Sequence, residues 1–255
     1  MTTQNDRSSV WIHGISGKMG QEIKSLLDSE RYVKDWDLKG GSALDSSVEK
    51  TRDQISDSDC FIDFSSQDGN EFFYQVLEGS ELVGKTVLIG STGLTDEQKN
   101  LWHQLATNHQ WKLMIAPNTS LGVILTLKSA LSIAGICSEH DFDIEIEETH
   151  HRYKADAPSG TAVFLGDHMA EAANKRWVSG TDGLRNPEEI GIHATRGGGV
   201  FGEHKIRFIS DYEEISIQHR AFSRTLFASG ALALLSWLKQ KDPGIYQVTE
   251  VYQNS

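Results

Sequence analysis

"VWIHGISGKMGQEI", Val10 to Ile23, runs from a short apolar stretch through glycines at 14, 17 and 20 into an amphipathic stretch. Strand, glycine turn and helix in that order open a dinucleotide site. The first glycine permits the tight turn, a second lets backbone approach a pyrophosphate, and a third lets helix pack on strand. The pyrophosphate then rests on unpaired amides at the helix N-terminus. The spacing here is G-x-x-G-x-x-G, with Ser16 where a middle glycine usually stands. An ordinary glycine-rich strand-to-helix turn is the alternative, so the surrounding sequence has to decide.

Working outward, the same texture recurs as far as about Ala116. Short apolar runs, "CFIDF", "TVLIG", "LMIAP" and a weaker "WDLKG", suit strands buried on both faces of a parallel sheet. Between them Met19, Ile23, Leu26 and Leu27 recur at helical spacing, and Thr95 with Gln98 has capping-box spacing ahead of another helix. Repeated strand-helix-strand units predict a doubly wound parallel sheet, an α/β dinucleotide domain of Rossmann type.

After Ser120 the texture changes. "LGVILTLKSALSIAGI" reads as a long helix, apolar almost all round, and "DFDIEIEET" alternates Ile144 and Ile146 with Asp143, Glu145 and Glu147, as a half-exposed strand does. "HKIRFIS" and "EEISIQHR" alternate likewise and predict an antiparallel hairpin. A second, α+β domain for substrate binding and oligomerisation is therefore expected over residues 121–224. The helix from about Ser223 to Lys239 would return to the first domain, making that domain 1–120 completed by 225–255. No internal repeat or low-complexity tract interrupts this plan.

Composition narrows the function classes. The 255 residues are enough for one large or two modest domains, with a core that needs no disulfides. Cys60 and Cys137 both lie in apolar runs and read as reduced thiols. No stretch reads as the roughly 20 apolar residues of a membrane span, and "MTTQNDRSSV" lacks the features of a signal or transit peptide, so a cytoplasmic location is expected. A net charge of −12 repels nucleic acid and anionic membrane, so neither is expected as a partner.

Against that acidic background stands "ETHHRYKADAPSGTA", Glu148 to Ala162. Pro158 fits the start of a helix. Ser159, Gly160 and Thr161 would then offer free backbone amides and two hydroxyls at the positive helix end, a cradle for carboxylate or phosphate. Ala162, Leu165, Met169 and Ala172 supply the buried stripe that such a helix needs. Lys154 and the two histidines approach from the preceding loop, joining anion capture to a proton donor. A metal centre built from His150, His151, His193 and His204 with Asp141 or Asp143 lacks any H-x-x-x-H or C-x-x-C spacing, and no metal is expected. A serine hydrolase is disfavoured because no G-x-S-x-G elbow occurs. "RGGGVFGEH", Arg196 to His204, reads as a glycine-rich connection between strands and is assigned no chemistry.

The segment "HHRYKADAPSGTA" resembles the signature of the dihydrodipicolinate (4-hydroxy-tetrahydrodipicolinate) reductase family. "GISGKMG", "FIDFSS", "IGSTGLT", "APNTSLGV" and "GEH" follow the family's order along almost the whole chain. The resemblance implies NAD(P)H-dependent reduction of a cyclic unsaturated imine, in lysine and diaminopimelate biosynthesis, by a homotetramer. It implies that Gly14, Ile15, Ser16, Gly17, Lys18 and Met19 line the pyrophosphate, that Gly90, Ser91 and Thr92 lie along the coenzyme, and that Ala116, Pro117, Asn118 and Thr119 lie near the nicotinamide. His150 matches the family's acid/base residue and Lys154 its proton donor. His151, Lys154, Ser159, Gly160 and Thr161 match substrate-binding positions. Thr119 departs from the pattern, standing where the family usually has phenylalanine.

The coenzyme is expected to be NADPH or NADH. An acid at the end of the second strand selects NAD through its ribose hydroxyls. In "DLKGGSALD" no acid follows the strand directly and Lys39 lies nearby, so the expectation leans to NADPH. Two other readings stay open: another two-domain amino-acid or semialdehyde dehydrogenase, and a non-catalytic NADPH-sensing regulator.

Overall fold

The structure, a computed structural model, describes residues 7–180 and 183–251. The chain divides into two compact units: one ends at Ser120 and resumes at Thr225, and the other runs Leu121–Arg224.

The first unit alternates β1 (Ser8–His13), α1 (Lys18–Leu27), β2 (Trp36–Ser42), α2 (Val48–Gln54), β3 (Cys60–Asp63), α3 (Gln67–Glu78), β4 (Thr86–Ile89), α4 (Asp96–Asn108) and β5 (Lys112–Ile115). Its strands form one parallel sheet in the order β11-β5-β4-β3-β1-β2, where β11 (Gly244–Tyr246) comes from the returning segment. The weak apolar signal of β2 has a simple cause: it is an edge strand and tolerates Asp37 and Lys39. The capping box predicted at Thr95 and Gln98 is present at the start of α4. Phe61, Phe73, Trp102 and Trp111 are among the large side chains filling the core.

The second unit packs α5 (Leu121–Glu139) and α6 (Gly160–Ala173) on one face of a mixed sheet. The strand order is β10-β9-β6-β8-β7, with β6 (Asp143–His150) at the centre. β7 (Arg176–Ser179) and β8 (Glu189–Arg196) run parallel to it, and β9 (Glu203–Ile209) and β10 (Glu214–Arg220) form the predicted antiparallel hairpin. Along β6 the inward residues are Ile144, Ile146, Glu148 and His150. A strand's period of two thus sends an apolar face straight into a polar pair.

Two expectations need correction here. α5 has the length and composition of a membrane span, contrary to the expectation that no stretch does. Val123, Leu127, Ala130, Ala134 and Cys137 bury one side of it in the unit's core, while Leu125 and Ile136 stay exposed. In α6 the buried stripe is Ala162, Leu165, Gly166, Met169 and Ala170, and Ala172 is exposed.

Candidate active site

In the first unit, every segment expected to touch coenzyme follows the C-terminal end of a parallel strand: 14–19 after β1, 90–92 after β4 and 116–119 after β5. The strand order reverses between β1 and β3, and sheets of this kind bind ligands at such a point. The glycines divide the work. Gly14 has φ +79°, and a Cβ there would lie 2.6 Å from the Phe64 carbonyl oxygen. A Cβ on Gly20 would lie 2.3 Å from the Gly14 carbonyl oxygen, so only glycine lets α1 close on the turn. Gly17 is the N-cap of α1 and supplies no side-chain cap, while Ser16, Gly17 and Lys18 are exposed. An uncapped helix start behind a glycine turn is the donor set that a pyrophosphate requires.

Behind this turn lies a buried polar layer. The Ser42 carbonyl accepts from the amides of Gly14 (2.8 Å) and Ile15 (3.3 Å), tying the turn to the end of β2. The Nε2 of His13 is 2.8 Å from the Gly69 carbonyl, which can only accept, so Nε2 carries the proton. Nδ1 then accepts from the Ser42 hydroxyl (2.9 Å), which itself accepts from the Trp11 indole N–H (3.2 Å). Burial lowers the His13 pKa, against the opposing pull of Asp63. The Asp63 carboxylate accepts from Asn70 Nδ2 (2.7 Å), the Ser65 amide (2.9 Å) and the Ser91 hydroxyl. The Ser91 hydroxyl therefore points into the protein, leaving its backbone and the exposed Thr92 to meet a ligand. The Thr119 hydroxyl also turns inward, donating to the Phe227 carbonyl at 2.8 Å. Of 116–119 only Pro117 is exposed.

Lys39 is not where the coenzyme argument needed it. It lies inside β2 and its Nζ is 2.9 Å from Asp37. The residues beyond the strand are Ala43 and the exposed Leu44.

In the second unit, strand register gathers a charged cluster on the face covered by α6. β6 supplies Glu148 and His150, β8 places Arg196 opposite His150, and β9 places His204 opposite Glu148. Glu148 is buried, with Arg196 bidentate on its carboxylate at 2.7 and 2.9 Å, the Ser159 amide at 3.0 Å, and His150 Nδ1 in a short hydrogen bond. Burial opposes its ionisation, but these donors outweigh burial and hold its pKa at about 2. Burial, helped by the neighbouring His150, pushes His204 down to about 3, so it is neutral. Its Nε2 lies 3.2 Å from the Ser159 hydroxyl. Glu148, His150 and His204 also form a group with metal-ligand atoms, yet both oxygens of Glu148 are engaged by a guanidinium, which repels a cation.

Three expectations change at this point. The helix starts at Gly160 with Ser159 as N-cap, so Pro158 stands before the cap and not within the first turn. Ser159 is not a free donor: its amide goes to Glu148 and its hydroxyl accepts from the Ala162 amide at 3.2 Å. The Gly160 amide serves Asp156, whose carboxylate also holds the Lys154 ammonium at 2.8 Å. The segment Arg196–His204 was assigned no chemistry, yet its two ends enter the cluster. The sequence did carry a signal for Glu148, as an acid continuing the inward face of Ile144 and Ile146. It carried none for Arg196, and it marked His204 only within "GEH" and as a disfavoured metal ligand; strand pairing brings both in from about 50 residues away.

Buried nitrogens without a hydrogen-bond partner concentrate here as well: Nδ1 of His151, His204 and His219, and Nε of Arg196. Unpaired ring and guanidinium nitrogens beside a lysine are a donor set that an anion would need.

A glycine turn at the switch point of a parallel sheet, followed by a second, mixed-sheet unit, is the plan of a nicotinamide-dinucleotide-dependent oxidoreductase. Residues 8–119 match the family described as dihydrodipicolinate reductase, N-terminus, and residues 122–252 match dihydrodipicolinate reductase, C-terminus. The chain belongs to the dihydrodipicolinate reductase family. It is similar to the 4-hydroxy-tetrahydrodipicolinate reductases of a Nitratiruptor species (39% identical, covering 95% of this chain and 98% of that protein) and Syntrophotalea carbinolica (36%, covering 95% and 97%). A dipicolinate-bound dihydrodipicolinate reductase from Paenisporosarcina sp. TG-14 shares the fold, with TM-score 0.72 at 24% identity over 94% of this chain and 97% of that one.

Proposed function

We infer that this chain catalyses NAD(P)H-dependent reduction of 4-hydroxy-tetrahydrodipicolinate (dihydrodipicolinate) to tetrahydrodipicolinate, in lysine and diaminopimelate biosynthesis. The observation that carries the reading is that both units match the two halves of one reductase family. The coenzyme, when bound, supplies the hydride. Residues 14–19 would hold its pyrophosphate through backbone amides, with 90–92 and 116–119 along its length. The uncapped start of α1 and the glycine-only positions 14 and 20 support that assignment.

The substrate is a small ring with two carboxylates. His151, Lys154 and the residues 159–161 would grip it, and the unsatisfied His151 Nδ1 supports this. Ser159 contributes by fixing the helix end, and Gly160 becomes a donor to substrate once Asp156 is displaced. The site must deliver a proton as negative charge develops on the reduced ring, and His150 and Lys154 stand in the segment suited to it.

The coenzyme preference we propose is NADPH. What supports it is the absence of a carboxylate at Ala43, directly after β2, where an acid would repel a 2′-phosphate. Lys39, paired with Asp37 inside β2, adds no support. Ala43→Glu should turn the ratio of kcat/KM toward NADH, and an unchanged ratio would remove the argument. The assembly we propose is a homotetramer formed through the second unit, whose Leu125, Ile136 and Ile215 are exposed apolar side chains. Light scattering that gives a monomer would refute it.

The deciding assay follows loss of reduced-nicotinamide absorbance with freshly formed substrate. Steady oxidation of NADPH or NADH supports the reading. Coenzyme binding without oxidation would favour a regulator instead.

A further inference from the structure

Glu148 and Arg196 have no role in the reading above, and the second unit spends a buried carboxylate and a guanidinium on them. We propose that Glu148 is a positioning residue that fixes which nitrogen of His150 exchanges protons, and that Arg196 locks Glu148 in place for this task. The proposal rests on His150 being a proton-transfer residue.

The geometry leaves one assignment of protons. An ionised carboxylate only accepts, so the His150 Nδ1 facing Glu148 must carry hydrogen. Neutral His150 is then the Nδ1–H tautomer and its Nε2 is the base. Protonated His150 carries its second proton on Nε2, and that is the one it can donate. Giving it to the reduced ring leaves the neutral tautomer already held by Glu148, so the ring does not have to turn during the step. The same logic orients the histidine of hydrolase triads through a buried acid.

Four observations set this apart from an ordinary buried ion pair. Arg196 alone would satisfy Glu148 through its bidentate contact, yet a titratable ring is added to the same oxygen. Glu148, His150, Arg196 and His204 come from three adjacent strands, and the N-cap amide of α6 closes the group, so no partner sits on a mobile loop. His204, whose ring meets that of His150 edge-on at 5.1 Å, is held neutral and adds no second charge. Nε2 itself is kept clear: a Cβ on Gly202 would stand 3.0 Å from it, and glycine there leaves the space open.

Wild-type protein labelled with nitrogen-15 at histidine, with His150→Gln to assign the resonance, reports the tautomer directly by NMR. The expected result is Nδ1–H for the neutral ring, and an Nε2–H tautomer overturns the proposal whatever the variants do. In Glu148→Gln the Nε2–H tautomer should gain population, because an amide can donate to Nδ1 where a carboxylate only accepts, and kcat should fall on the order of 10²-fold with KM for coenzyme unchanged. An unchanged tautomer with full kcat also overturns the proposal. Full turnover in His150→Gln would instead sink the role of His150, a separate failure that the tautomer measurement can recognise.

Discussion

Each unit carries a buried histidine at the C-terminal end of a sheet strand, and the two do opposite things. His13, at the end of β1, gives both ring nitrogens to neutral partners, the Ser42 hydroxyl and the Gly69 carbonyl. His150, at the end of β6, gives Nδ1 to a carboxylate, and its Nε2 makes no hydrogen bond within the described protein. On the role proposed for His150, the partner's charge, not the residue type or its place in the strand, would decide which ring is structural and which can work. On the function proposed, the first unit would present backbone to its ligand, with polar side chains behind it, and the second would present titratable side chains themselves.

The sharpest way to break this contrast is to remove side chains from each unit and compare turnover. Lys154→Ala and His150→Gln should each lower kcat by about 10²- to 10⁴-fold, with coenzyme affinity unchanged. Equal losses of kcat and coenzyme affinity would count against a chemical role. His13→Gln should leave kcat nearly intact and lower stability by about 1–3 kcal/mol, because buried donors and acceptors lose partners. Urea unfolding and steady-state kinetics on the same preparations separate these outcomes.

In the first unit the damaging change is to backbone space. Gly20→Ala would force a Cβ to 2.3 Å from the Gly14 carbonyl oxygen, a clash with main chain that no rotamer relieves. Overpacking of this kind costs about 1–3 kcal/mol. Here it should also weaken coenzyme binding, because the displaced backbone is the surface proposed to hold the pyrophosphate. Gly160→Ala makes the matching test in the second unit. A Cβ there meets nothing within 4 Å, so stability should hardly change.

The same contrast governs what could be read in advance. The central strands of the first unit were legible because they are short runs buried on both faces, as "CFID" and "TVLI" are, whereas the edge strands β2 and β11 are only partly buried. β8 was not legible, because "EIGIHATR" places Gly191 and His193 between its apolar residues and breaks the strand pattern. The signature segment was legible as a cluster, but the working arrangement inside it was not. Local spacing shows Ser159 and Lys154 as donors, whereas only tertiary structure shows Glu148 and Asp156 already using them. Arg196 enters by its pairing opposite His150, a register no local pattern encodes.

The titrating character of the second unit should appear in stability too. His204 has its pKa lowered from an ordinary 6.5 to about 3, so between those values the unfolded chain binds the extra proton. Its contribution is complete above about pH 6.5 and is lost as pH falls toward 3. Glu148, lowered from 4.5 to about 2, contributes fully above about pH 4.5 and loses its share only below that. Thermal unfolding between pH 6.5 and 4.5 therefore reports the buried histidines, with His13 and His219 also lowered by burial, and a variant separates the share of His204. His204→Gln should flatten the fall of Tm with acid in that window, and an unchanged slope would mean that His204 is protonated in the folded state.

The smallest expected effect concerns Asp156. Its carboxylate takes the Lys154 ammonium and the Gly160 amide, two of the donors proposed for a substrate carboxylate. An exposed pair of this kind contributes little to stability, so displacing it costs little, but the displacement still sets itself against binding. Asp156→Asn keeps the shape and removes the competing charge. Affinity for pyridine-2,6-dicarboxylate, measured by calorimetry, should then rise about 2- to 5-fold, the equivalent of ~0.4–1 kcal/mol. If the variant instead binds the diacid more weakly, Asp156 holds Lys154 in its working position, and the second unit would use a positioning carboxylate at both ends of the same segment.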